Sequence, residues 1–322
     1  MTARAEPRVR SGPGEPTTAG PRLTGQLRLG LELRAGRTVA ARQFHEGALR
    51  VLRALYPDGT GQPMLTVVNP GGGYLGGDTY ATEVALGPGA SALLTTQSAT
   101  KVYRTPQGPA RAVLRLSLGP GSRLESVPDA LIAYRGAAYR QDTEVAMAPD
   151  ASLALADVVT HGWSPDGEPF RFDEVFLRTR VAVDGRLAVA DNLVVRPADG
   201  GTARLMLAGR SHLGSLLVVD PRADDAAVAA LRSHLGIDAA PGAGATAHDG
   251  ARSPRVVAAH DGARSPRRGT APLAGITRLA VPGFALRVLA DSTQSAEAVL
   301  HAALNWMRSA WHGQGPLDTR KP

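Results

Sequence analysis

The feature that most constrains this chain is a weak internal repeat of strand, tight turn and strand. Residues Ala85–Leu93 (ALGPGASAL) resemble Ser117–Leu124 (SLGPGSRL), and both resemble Ala146–Leu153 (AMAPDASL). The turn prolines Pro88, Pro120 and Pro149 stand 32 and 29 residues apart. A looser fourth copy is Val181–Leu187 (VAVDGRL). In each copy Pro presets φ, or Gly or Asp completes the turn, between two apolar runs. Gly-Pro-Gly is a common turn in its own right. Repeats of this length that cannot bury their own apolar face, however, stack into a layered β core. The expected fold is mainly β, with stacked, β-solenoid-like layers of strands and about two α-helices packed on them.

Period-two alternation supports the strands. Leu27, Leu29, Leu31 and Leu33 alternate with Arg28, Gly30, Glu32 and Arg34, the pattern of a half-buried strand. Further candidates are Thr38–Arg42, Ala48–Leu55, Met64–Asn69, Tyr80–Leu86 and Ala112–Leu118. Helical spacing occurs at Asp224–Leu235, which Gly236 would stop, and again from Asp291 or Ser292 to Trp311, before Gly313 and Gly315. Residues 1–24 read as a disordered arm, 25–312 as one mainly β domain, 239–271 as a disordered Ala/Gly/Arg/Pro-rich insert, and 313–322 as a disordered tail. Within the insert, AHDGARSPR recurs after twelve residues and brings His248 and His260 to equivalent positions. A chance duplication is the simpler account of that pair.

Composition excludes several classes of function. With no Cys there is no disulfide framework, thiolate metal site or Cys nucleophile. The net charge of +7 is held mostly by three segments that look disordered: 1–25 at +2, 247–270 at +3 and 313–322 at +1. A nucleic-acid partner needs a basic folded face or stacking aromatics, and aromatics are 4% of the chain. No secretory leader and no membrane-length apolar run is visible. The expected location is cytoplasmic, without nucleic-acid or membrane partners.

Candidate chemistry is sparse. Gly71–Gly76 satisfies G-x-G-x-x-G, but that fingerprint must open a helix whose N-terminus holds the pyrophosphate. Here Thr79–Leu86 alternates like a strand. No G-x-S-x-G elbow or H-E-x-x-H pair occurs, and Ser211 and His212 are merely adjacent. One acidic residue stands out. Leu153, Leu155, Asp157, Val159 and His161 share a parity, so if the leucines point inward Asp157 does too. A carboxylate there must be paired, hydrated or cation-bound. The bland reading is a structural Asp bonded to backbone or Arg; the functional one is a polar waypoint in an internal cavity. His161 would follow about 13 Å along the same face at strand rise.

Two runs carry a family resemblance. Asn69-Pro-Gly-Gly-Gly-Tyr-Leu-Gly-Gly-Asp78 and Leu93-Leu-Thr-Thr-Gln-Ser-Ala-Thr-Lys-Val-Tyr-Arg104 resemble the signature of the urease accessory protein UreD (UreH) family. Val127-Pro-Asp129, Arg135-Gly-Ala137, Gly167-Glu168 and Leu289-Ala-Asp-Ser-Thr293 agree in order. The resemblance covers roughly 25–238 and 272–312. It implies a non-enzymatic scaffold that binds urease subunits and a UreF-type accessory protein, and through it a UreG-type GTPase. It also implies nickel in transit through an internal polar tunnel, with no permanently bound cofactor. By position, Asp157 matches an acidic tunnel residue and Glu168 the family's Gly-Glu pair; with His161 they form the expected nickel path. The motif positions Asn69, Pro70, Gly72, Gly73, Gly76, Gly77, Asp78, Thr95, Thr96, Thr100, Lys101, Tyr103 and Arg104 are expected to contact a partner or brace loops. The sequence departs from the pattern at Gly71 (usually Pro), Trp163 (usually Arg) and Ala130 (often acidic). The competing readings are a glycine-loop nucleotide enzyme, which needs a helix after Gly76, and a β-solenoid binding module for another client.

Overall fold

The computed structural model describes residues 23–199, 207–237 and 271–319. In chain order the strands are β1 (Gly25–Arg34), β2 (Arg37–Gly47), β3 (Arg50–Val51), β4 (Met64–Val68), β5 (Thr79–Leu86), β6 (Ser91–Thr96), β7 (Thr100–Val102), β8 (Ala110–Leu118) and β9 (Arg123–Ser126). They continue with β10 (Leu131–Ala133), β11 (Ala138–Met147), β12 (Ser152–Val159), β13 (Glu174–Val183), β14 (Arg186–Val195), β15 (His212–Val219), β16 (Leu273–Arg278) and β17 (Gly283–Ala290). Helix α1 spans Asp225–Leu235 and α2 spans Thr293–His312.

These strands form two sheets. The first runs β14-β13-β11-β8-β5-β1-β2, the second β16-β17-β15-β12-β9-β6-β4-β3. The chain coils between them: β5 leads to β6, β8 to β9 and β11 to β12. Equivalent strands of successive coils pair in parallel, β5 with β8 and β8 with β11 in one sheet, β6 with β9 and β9 with β12 in the other. The Pro88 and Pro120 turns stack as well, since Gly89 N donates to Pro120 O at 2.9 Å. The repeat is therefore a β-solenoid-like coil, as its spacing predicts.

The fourth copy does something different. Val181–Leu187 joins β13 to β14 as an antiparallel hairpin within the first sheet rather than crossing to the second. Asp184 (φ 50°) and Gly185 (φ 71°) are both left-handed, which is the type I′ geometry of a two-residue hairpin. Ala35 (φ 47°) and Gly36 (φ 76°) repeat it between β1 and β2. The two hairpins end the parallel stack on opposite edges. The Ala48–Leu55 candidate contracts to β3 and a single bridge from Leu55 to Met64.

The core has two layers because the second sheet is covered on both faces. Between the sheets lie Leu27, Leu31, Val84, Leu116, Leu124 and Leu153. Behind the second sheet, Leu216, Leu286 and Val288 pack on Leu231 of α1 and on Leu300 and Leu304 of α2. Each such side chain contributes about 1.5–3 kcal/mol when fully buried. Strand β12 sends Leu153 and Leu155 to the inter-sheet core and Ala154, Ala156 and Val158 to the helix side, so its sequence is a nearly continuous apolar run. Asp224 caps α1 by accepting from Ala227 N, Ser292 caps α2 by accepting from Ser295 N, and Gly236 and Gly313 end the helices in the left-handed conformation.

The expected boundaries shift at both ends. Of the anticipated arm, residues 1–22 lie outside the described residues, but Thr24 is tied down: its N donates to Thr79 O at 2.7 Å and its Oγ1 to Asp78 Oδ1 at 3.1 Å. Of the anticipated insert 239–271, residues 239–270 lie outside the described residues. The anticipated tail is laid against the domain over 313–319. Gln314 is buried, accepting from Arg123 Nη2 at 2.5 Å and donating to Thr60 Oγ1 at 2.9 Å. Leu317 packs on the helix-side core, and its N donates to Asn305 Oδ1 at 2.6 Å. A short polar ending looks loose in sequence because partners so remote cannot be read there.

Candidate functional site

The glycine motif builds a braced loop. After Gly76 the chain enters strand β5, and no helix opens at the loop. The dinucleotide fingerprint therefore lacks the helix N-terminus that would hold a pyrophosphate, and the nucleotide-enzyme reading fails on that geometry. The loop's polar groups are turned inward instead. Asn69 Oδ1 accepts from Gly71 N at 3.0 Å and its Nδ2 donates to Gly73 O at 3.3 Å. Asp78 Oδ2 accepts from Leu75 N at 2.7 Å and from the Tyr80 hydroxyl at 3.2 Å. Pro70 stands between Asn69 and these turns, and Gly72 and Gly77 take positive φ. At Gly73 a Cβ would stand 2.6 Å from Tyr103 Cε2, and at Gly76 it would stand 2.9 Å from Thr105 Cα. Glycine is required at both by close approach.

The second motif braces the next coil. Thr95 Oγ1 donates to Val127 O at 2.7 Å, and Thr96 Oγ1 donates to Asp129 Oδ2 at 2.9 Å. Thr100 and Lys101 lie in β7, which pairs in parallel with β10. Tyr103 N donates to Tyr74 O at 2.9 Å. The Tyr103 ring meets Tyr134 at 4.9 Å, and Tyr134 meets Trp163 at 4.9 Å. Trp163 is half exposed, and Arg104, next to Tyr103 in the chain, is exposed. A short aromatic ladder flanked by cations thus reaches the surface from the motif.

Composition hid how aromatics are deployed. Five of the six tyrosines gather around these two motifs. Tyr74 stacks on Tyr80 at 4.0 Å and tilts against Tyr139 at 5.8 Å. Burial pushes all three phenols up, Tyr80 to about 12. The three rings form one end of a cavity of about 140 Å³ between the sheets.

Asp157 lines that cavity from β12. Across from it, the first sheet presents Thr82, Thr143 and Thr179 as one row: Thr82 and Thr143 both neighbour Leu114, and Thr143 is the register partner of Thr179. The row continues to Asp191 on β14. In the second sheet, Asp157 is the register partner of Ser215 and Ser215 of Arg287. Arg287 donates to Ser215 Oγ and, at 2.6 Å, to Asp191 Oδ2, which closes the band across both sheets. Burial raises the Asp157 carboxyl to about 7, with Asp191 adding to the rise and Arg287 opposing it. The group is therefore poised between neutral and charged near neutral pH.

His161 and Glu168 are placed elsewhere. His161 follows the end of β12, where its ring meets His212 at 5.4 Å and Phe170 at 6.4 Å. Glu168 lies exposed on the loop beyond, its N donating to Asp166 Oδ1 at 3.1 Å. Among the described residues, no three His, Asp or Glu side chains converge as a metal-holding group. Asp157, His161 and Glu168 are thus not one coordination sphere.

Comparison with known proteins bears on what such a coil is for. The family described as UreD urease accessory protein matches residues 23–321. This chain belongs to the UreD family. A urease accessory protein UreD of Actinomyces naeslundii is 44% identical over 299 residues, covering 92% of this chain and 98% of the relative. That of Paenarthrobacter aurescens (strain TC1) is 43% identical over 304 residues, covering 93% and 95%. One from Corynebacterium glutamicum is 36% identical over 301 residues. UreD proteins are accessory proteins, so the role is in urease maturation and is non-catalytic. No helix among the described residues is long and apolar enough to cross a membrane.

Proposed function

We propose that this UreD protein is a cytoplasmic scaffold that binds urease subunits and a UreF-type accessory protein, with a UreG-type GTPase recruited through the latter. Nickel is its cargo and passes the inter-sheet cavity at Asp157 on the way to the urease active site. The observation that carries this reading is the Asp157 carboxyl set in a hydroxyl-lined cavity between two sheets. A hydrated divalent cation needs oxygen contacts that are favourable enough to admit it and weak enough to release it. One carboxylate with threonine hydroxyls opposite offers such contacts. The aromatic ladder Tyr103–Tyr134–Trp163, with Lys101 and Arg104 near it, is suited to partner contact, because exposed aromatics and Arg are typical anchors of interfaces.

The test is co-expression with the urease subunits and the UreF-type protein. Affinity capture of this chain is followed by urease assay after nickel addition. A recovered complex, with activity lost when the chain is omitted, supports the scaffold. Full urease activity without the chain contradicts it.

A further inference from the structure

We propose that two copies of this chain associate edge to edge through strand β2, with Phe44 of each copy facing Phe44 of the other. Strand β2 is the outer strand of the first sheet, and among the described residues no strand pairs with its free side. Which of its backbone groups point that way follows from the hairpin. Arg34 and Arg37 close a two-residue turn, so they exchange hydrogen bonds, and so do Glu32 and Val39 two residues on. The backbone of Thr38, between them, points outward and is satisfied from within the chain. Its N donates to Gly61 O at 3.0 Å, and its O accepts from the Tyr56 hydroxyl at 2.7 Å. Ala41 is a bulge, since Leu31 pairs with Ala40 and Gly30 with Arg42. The bulge shifts the alternation by one residue. Beyond it the backbone of Arg42, Phe44 and Glu46 turns toward β1, and that of Gln43, His45 and Gly47 turns outward. Gly47 O accepts from Arg50 Nη1 at 2.6 Å. The edge is thus capped at Thr38 and at Gly47, and open at Gln43 and His45.

An antiparallel second copy of β2 has one register that uses both open residues. Gln43 pairs with His45 of the second copy, and His45 with its Gln43. That register sets Phe44 against Phe44, and Arg42 against Glu46 on either side of it. These are non-hydrogen-bonded pairs, whose side chains approach closest. Aromatic pairs and directly opposed opposite charges are the favourable cross-strand combinations. The two neighbouring registers set Phe44 against Arg42 or against Glu46 and lose both matches.

The side chains are available for these contacts. Arg42, Phe44 and Glu46 are all exposed, Phe44 by 47%. Directly across β1, Arg42 faces Gly30 and Glu46 faces Gln26, so neither meets an opposite charge there. Phe44 ends a row of cross-strand contacts on the outer face of the first sheet. Its ring takes the Arg28 guanidinium at 5.8 Å, Arg28 pairs with Glu83 at 3.2 Å, and Arg115 bridges Glu83 and Glu144 at 3.7 and 3.6 Å. A second copy continues that row across a two-fold axis and joins two seven-stranded sheets into one. Edge strands are commonly kept from pairing by charges and bulges. Here the bulge stops short of the open stretch, and each edge charge meets its opposite in the other copy. Stable interfaces bury about 1,200 Å² or more, and a stretch as short as residues 42–46 gives a weak, concentration-dependent dimer. The inference does not depend on nickel passing Asp157.

The chain has no Cys, so one engineered cysteine reports proximity between copies. The experiment is oxidative cross-linking of the purified full chain as Phe44→Cys and as Gln43→Cys, with sedimentation of the wild type over a range of concentrations. Directly opposed Cβ atoms lie within disulfide reach, and those displaced by two residues, as Gln43 is from its own copy, lie beyond it. The expected result is a wild type that dimerises as concentration rises, and cross-linking about ten-fold faster in Phe44→Cys than in Gln43→Cys. Charge reversal tests the register. Arg42→Glu and Glu46→Arg should each weaken the dimer about ten-fold, and the two together should restore it. A wild type that stays monomeric, equal cross-linking of the two cysteines, or single reversals that leave dimerisation unchanged overturns the proposal. Amides of Gln43 and His45 protected from hydrogen exchange in the monomer would mean that the same chain covers its own edge, and would overturn it as well. Should a reversal variant melt early, the wild-type sedimentation and the two cysteine variants decide.

Discussion

Arg308 of α2 and Glu125 of β9 form an ion pair buried on both sides, between residues 183 apart in sequence. Arg308 also donates to Gln62 Oε1 at 3.1 Å and to Gly315 O at 3.0 Å, so one guanidinium joins the last helix, the chain end and two coils of the solenoid. Breaking a buried pair by removing one partner typically costs about 3–5 kcal/mol, because the other charge stays buried. Arg308→Met is expected to destabilise the fold by that amount, and Arg308→Met with Glu125→Leu to recover much of it. Urea denaturation of the single and double variants checks both, and equal losses would contradict the account.

Asp157 imposes a pH dependence whose sign is fixed. Its folded value of about 7 lies above the 3.8 of a free carboxyl. The folded state therefore binds more protons than the unfolded one between those values, so its stabilising contribution is full below about pH 4 and lost as pH rises through 7. The cavity side of the residue is partly open, so the effect is about 1–3 kcal/mol rather than that of a dry carboxyl. Asp157→Asn is expected to be more stable than wild type at pH 8 and to differ little at pH 4. Thermal melts across this range measure it; a wild-type advantage at pH 8 would refute the burial argument.

Gly73 is a steric requirement. A methyl there would lie 2.6 Å from the Tyr103 ring and 2.8 Å from Lys101 O. Gly73→Ala is expected to cost about 1–3 kcal/mol, the usual range for overpacking. Gly71→Ala would meet only Asn69 Oδ1, at 3.1 Å, and should cost less. Denaturant midpoints of the two variants provide the comparison.

Ala35 occupies the first left-handed position of a type I′ hairpin, where Asn is preferred. Ala35→Asn is expected to stabilise by about 0.5–1 kcal/mol, because Asn tolerates φ > 0 better than Ala. A rise of a few degrees in melting temperature would confirm it.

Period-two alternation and recurrent proline turns made the coil legible, because each strand's parity is set by one apolar face. Contacts between remote segments carry no such pattern. The Val181–Leu187 copy lacks the turn proline of the others, and its Asp184-Gly185 pair, both at positive φ, closes a hairpin instead. Arg308 lies four residues after Leu304 on the buried face of α2, and that spacing was the available hint that a charge sits inside. Its partners on β9 and near Gln62 left no local trace. Asp157 was legible by parity with Leu153 and Leu155. The hydroxyl row opposite was not, since Thr82, Thr143 and Thr179 come from three separate strands. His212 sits beside a serine that suggested nothing until the fold brought His161 to it.

Asp157 is the residue at which the proposed nickel route differs from a purely structural carboxyl. The direct measurement is urease activation at limiting nickel by complexes containing either wild-type chain or Asp157→Ala, each first shown to co-purify with the urease subunits. The prediction is equal recovery of complex and at least a ten-fold drop in activation with the variant. Undiminished activation from an intact Asp157→Ala complex would contradict the cavity route.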